Sequence, residues 1–198
     1  KIVDGVEQLT YHNYAHMEAV TLVAFEISER DYNFSSMQKH ILFLACMFHD
    51  YGHRQSKGPD ADNIEYAIEA LYQIAKSSLF KEDYFNKMVM FAGEVIRVTE
   101  YPFKCNPFKD IECVIRDADL MMMVQCDGGY FLKGLCNELE LKPENGAQAV
   151  EEHKKFLASC EFFTHTGKKQ YNKWYDGGSP VHSEHWESVE QQFDEDSK

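Results

Sequence analysis

The chain has 198 residues, 44% of them hydrophobic and 14% aromatic, which is enough apolar material for one domain with its own core and too much for a disordered segment. Its net charge of −13 argues against a nucleic-acid surface, which needs a basic stripe, and against docking on anionic membranes. No stretch approaches the roughly 18 charge-free apolar residues of a membrane span.

Apolar residues recur at three- and four-residue spacing along nearly the whole sequence, which predicts a single all-α domain over 1–198. Val20, Val23, Ala24 and Ile27 place a helix over 15–28. The segment 36–48 is apolar all round in its second half, as expected of a central, buried helix. Ile64, Ala67, Ile68, Leu71 and Ile74 mark a helix over 63–75. Further helices are predicted over 85–98, 111–126 and 150–163, with a last amphipathic segment over 183–193. The breaks fall at "SKGPDAD", "YPFKCNPF", "DGG", "KPENG" and "DGGSP". Met121, Met122 and Met123 read as core filler. From about 183 the chain is acidic and is expected to fray. The first residues show no basic-then-apolar leader pattern. The six cysteines include no Cys-x-x-Cys pair, so a reduced, cytoplasmic chain is expected.

The residues with chemistry are clustered. "YHNYAH" sets His12 and His16 four apart, a spacing that lets both face one way on a helix. "FHDYGH" sets His49 and His53 at the same spacing, with Asp50 between them. In "VIRDADLMMM" an apolar run is interrupted by Asp117 and Asp119, carboxylates that are costly in such a run unless paired or metal-bound. Asp117 reads equally as a cap or a partner of Arg116. Two imidazoles and two carboxylates drawn from three helices make a donor set suited to a borderline divalent cation. The second oxygen of Asp50 can bridge to another ion roughly 3.5–4 Å away, the usual spacing of two-metal hydrolytic sites.

These motifs resemble those of the HD-domain metal-dependent phosphohydrolase superfamily, and within it the class I cyclic-nucleotide phosphodiesterases. "YHNYAH" is similar to their Y-H-N-x-x-H, "FHDYGH" to their F-H-D-x-x-H, "VIRVTEYP" to a helix ending in A-T-D-M, and "DADL" to A-D-L-S. They occur in the family's order over roughly 11–120. The resemblance implies His16, His49, Asp50 and Asp119 as ligands of one or two divalent ions (Mn, Fe, Zn, Ni or Mg). It implies His12 as the general acid and His53 as a catalytic residue beside the second ion's waters. Asp62, Asn63, Glu65 and Thr99 would hold metal-bound water, although Glu65 reads also as a solvated helix carboxylate. Arg54 and Lys57, which follow the metal motif in a Gly-Pro loop, read equally as contacts to a phosphate and as loop solvation. In "HKKFL", His153 stands where the family has a base-reading glutamine, and Phe156 where it has a stacking phenylalanine. The activity implied is attack of a metal-bound hydroxide on phosphorus in a nucleotide-like phosphodiester. The alternatives are a nucleotide phosphomonoesterase, a diiron oxygenase relative and a non-catalytic binding module.

Overall fold

Several helices begin where the sequence supplies a cap. In the computed structural model, which describes residues 9–53, 58–77, 83–124, 127–175 and 180–196, Asn13 is the N-cap of α1 (Tyr14–Asp31), and its side chain accepts from the His16 N–H at 3.2 Å. Ser35 and Gln38 form a reciprocal capping box at the start of α2 (Ser36–Phe48). α3 (Asp60–Ser77) follows Pro59, which suits a helix start. α4 (Asp83–Ile96) closes in a 3-10 turn over Arg97–Thr99. Glu112 reaches back to the Phe108 and Lys109 N–H groups at 3.0 and 3.2 Å, satisfying donors ahead of α5 (Asp110–Leu120). A 3-10 turn over Met122–Val124 leads to α6 (Gly128–Glu138), and then come α7 (Gly146–Ala158), α8 (His165–Tyr175) and α9 (Pro180–Glu195). The architecture is all-α, with nine α-helices and no strand among the described residues.

Two groups of helices meet in one core. α1 packs on α2 and α5, α2 on α4, and α3 on α4; α6 and α7 pack on α9, while α8 joins the groups by touching α1 and α9. α2 is the central helix that its composition predicts: Leu42, Ala45 and Cys46 are fully buried. The three methionines 121–123 are buried as core filler.

Three expectations are corrected. The helix expected over 111–126 ends at Leu120, and the one expected over 150–163 runs instead from Gly146 to Ala158. α6 and α8 lie where the sequence suggested only connections. In α6 the two glycines of "DGG" are the first helical residues rather than a break, and neither position has room for a side chain. A Cβ on Gly129 would overlap Gln192, and one on Gly128 would strike the Met123 carbonyl. Finally, the acidic tail is a docked helix: Trp186, Val189 and Phe193 are buried, and His185 Nε2 lies 3.2 Å from the Met123 carbonyl. One apolar stripe faces α6 and α7 while Glu184, Glu187 and Glu195 are exposed, and Asp194 accepts the Gly146 N–H at the start of α7 at 2.7 Å. Among the described residues no helix is long and apolar enough to cross a membrane.

Candidate metal centre

The first half of "YHNYAH" is not helical. Because Asn13 caps α1, His12 precedes the helix and His16 lies in its first turn. The "HDYGH" pair is not on a helix either. α2 ends at Phe48, His49 is its C-cap, and the chain turns through Gly52 at φ 72°, with the Tyr66 ring where a Cβ would go. Each four-residue histidine spacing therefore sends its two imidazoles to different places.

His16, His49, Asp50 and Asp119 converge. His16 Nε2 lies 3.3 Å from His49 Nε2, 3.0 Å from Asp50 Oδ2 and 3.2 Å from Asp119 Oδ1. His49 Nε2 lies 3.0 and 3.6 Å from the same two oxygens. Ligands held about 2.1 Å from a common ion at tetrahedral or octahedral angles are about 3.0–3.4 Å from one another; four of these separations match the edges of a coordination polyhedron, and the fifth, His49 to Asp119 at 3.6 Å, is slightly longer. His49 Nδ1 lies 2.7 Å from the Cys46 carbonyl, which fixes the proton on Nδ1 and turns the Nε2 lone pair into the cluster. His16 Nδ1 is buried without a hydrogen-bond partner, and the Tyr11 ring packs against this imidazole at 4.4 Å. These residues could hold a metal ion, and the donor set fits one.

The electrostatics point the same way. Burial is the largest influence on both imidazoles and disfavours their charged form, yet Asp50 and Asp119 outweigh it and hold both pKa values above the ordinary range. Burial likewise opposes ionisation of Asp50 and Asp119, but the two histidines hold both carboxyls well below their usual range. Two carboxylates in one buried pocket demand positive charge, which either imidazolium or a cation can provide. Both imidazoles are wholly buried, whereas Asp50 and Asp119 keep 12% and 23% of their side chains exposed, so the cluster opens to solvent on its carboxylate side.

A second set, His12, His53 and Glu138, adjoins the first. Glu138 Oε1 accepts from His12 Nδ1, and its Oε2 accepts the N–H groups of Tyr11 and His12 at 3.0 and 3.1 Å. The His12 and His53 rings stack at 3.7 Å with their planes 11° apart. A cation lying in the plane of one ring would sit about a stacking distance outside the plane of the other, so both lone pairs cannot reach one ion. This set fits proton holding rather than metal binding. His53 Nε2 accepts from the Asn63 amide at 3.1 Å and lies 3.6 Å from Asp60 Oδ1, while Asp60 Oδ2 accepts the Tyr101 N–H at 2.7 Å.

The structure separates the remaining candidates. Asn63 reaches the site through His53. Glu65 does not join the cluster; it pairs with Arg97 on the exposed side of α3. Asp62 is exposed, and the Thr99 hydroxyl donates back to the Ile96 carbonyl. Asp117 faces α8, where it accepts from the Phe163 and Thr164 N–H groups and the Thr164 hydroxyl. Burial raises its pKa to about 6 against those hydrogen bonds. Phe156 packs against Tyr101 and His153 at 5.5 and 5.7 Å, and His153 Nε2 is buried without a hydrogen-bond partner. Arg54 and Lys57 lie outside the described residues. Sequence reasoning missed Glu138 and Asp60. Glu138 closes a helix that was read as a connection; Asp60 was hidden among three acids of "DADNIE", and its place just after Pro59 was the available signal.

No protein-family model matches the chain, and no curated protein matches it. The functional reading accordingly rests on the geometry of the site and on the motifs.

Proposed function

We propose that this protein is a metal-dependent phosphohydrolase acting on a nucleotide-like phosphodiester. The observation that carries the reading is the juxtaposition of a four-ligand cation cradle with an imidazole outside it, His12, fixed by a buried carboxylate. His16, His49, Asp50 and Asp119 would hold a divalent ion, which would supply Lewis acidity toward a phosphoryl oxygen and a water activated as a nucleophile at neutral pH. Glu138 anchors His12 through Nδ1, so Nε2 is the atom left to deliver a proton. As the ester P–O bond breaks, His12 Nε2–H protonates the departing oxygen, which matches the proton lost by the attacking water. His53 stacks on His12 and is steadied by Asn63, and thereby limits how far the acid can swing. The exposed carboxylate side of the cluster gives the substrate its approach. Engagement of His12 and His53 with Glu138 and with each other, rather than with the cradle, favours hydrolysis over the oxygenase reading, which would draw on further histidine ligands.

The test is a screen of the purified, metal-reconstituted chain against cyclic nucleotides, nucleoside monophosphates and bis-nitrophenyl phosphate. Turnover of diesters that depends on added divalent ion is expected. Turnover of monoesters alone would move the assignment to a phosphomonoesterase, and no phosphate release from any of them would overturn it.

A further inference from the structure

The general-acid histidine belongs to the N-terminal segment, but α6 holds it. Three contacts converge on residues 10–12 from one helix. The Thr10 hydroxyl donates to the Gly134 carbonyl at 2.7 Å. One turn later, Glu138 Oε2 takes the Tyr11 and His12 N–H groups. Between these, Gly134 has no room for a side chain, since a Cβ there would overlap the Thr10 carbonyl, a backbone atom that cannot rotate aside. The cradle has other supports, being built on α1, α2 and α5, while α6 packs chiefly on α9. The backbone contacts that hold residues 10–12 come from α6, whereas α6 meets the cradle through a ring contact, Phe131 lying 6.1 Å from the His16 imidazole.

We infer that Thr10 and Gly134 are positioning residues that fix where His12 stands relative to the cradle, so that acid catalysis and metal binding can be uncoupled from α6. The inference rests on the phosphohydrolase reading for the role of His12, and on geometry alone for the clamp. A displacement of about 1 Å of a reacting group costs up to about a hundredfold in rate. Thr10→Val removes the hydroxyl donor and keeps the shape; Thr10→Ser restores the donor; Gly134→Ala forces the close approach apart.

The experiment has two arms on the full chain. In the first, nitrogen-15 spectra of the histidine rings of the metal-free protein report the Nδ1–H of His12. The wild type and Thr10→Ser should show it protected, and Thr10→Val and Gly134→Ala should show it exchanging or shifted. In the second, with metal bound, kcat for a poor alkoxide leaving group should fall roughly ten- to hundredfold in Thr10→Val. Metal content, KM and kcat for a nitrophenyl ester should hold, and Thr10→Ser should recover the loss. A wild-type His12 ring signal in both Thr10→Val and Gly134→Ala would overturn the clamp. So would an equal loss on both substrate types accompanied by loss of metal, which would mark a merely structural contact. A wild type that turns over no phosphoester would overturn the phosphohydrolase reading instead, while the ring spectra would still decide the clamp.

Discussion

At the scale of single residues, the site divides into side chains that hold a cation and side chains that hold a proton, and substitution should separate them. His12→Ala should keep the metal and lose about 10²–10⁴-fold in turnover of an ester with a poor leaving group, with a much smaller loss for a nitrophenyl ester that hardly needs a proton. His49→Ala should lose metal and activity together. Metal analysis beside kinetics on the two substrates checks both, and equal losses on both substrates in His12→Ala would remove it as the acid. His153 gives a prediction of another kind. Burial holds its pKa down to about 4, whereas an unfolded histidine titrates near about 6.5. Between those values the unfolded chain binds a proton that the folded chain refuses, so stability falls as pH drops through that window, by as much as roughly 3 kcal/mol. His153→Phe should remove that component. Urea unfolding at pH 7 and pH 4.5 should show the wild type losing more stability on acidification than the variant, and equal losses would count against the buried neutral imidazole.

At the scale of elements, the sequence was most legible where one face of a helix is apolar and the cap is conventional. The segment 15–28 lies inside α1, and 36–48 coincides with α2. It was least legible where tertiary packing overrides local signals. "DGG" looks like a turn because glycines usually break helices, yet here they admit α9 at close range. The amphipathic segment over 183–193 was legible, but its acidic charge suggested a fraying tail rather than a helix that buries Trp186, Val189 and Phe193. The four cradle residues could be chosen from motif order, but Glu138 could not, because only the fold brings the end of α6 to His12. Docking of α9 has a measurable weight. Trp186 is 2% exposed, and truncating such a side chain costs about 3–5 kcal/mol. Trp186→Ala should lower the urea midpoint accordingly; a change too small to resolve would mean that the tail frays as its charge suggests.

For the molecule as a whole, the cradle ties α1, α2 and α5 together, so a bound ion should act on folding as well as on chemistry. A ligand that binds only the native chain stabilises it by about 2.7 kcal/mol at roughly a hundred times its dissociation constant. Added divalent ion should therefore raise Tm in the wild type and leave His49→Ala unmoved; an equal rise in both would place the ion elsewhere. The most direct measurement is anomalous diffraction at the metal edge from crystals of the metal-loaded chain. An ion should appear within about 2.0–2.3 Å of His16 Nε2, His49 Nε2, one Asp50 oxygen and one Asp119 oxygen, with His12 outside its coordination sphere. Anomalous density at any other place, or a metal-loaded structure in which these four side chains point apart, would contradict the account.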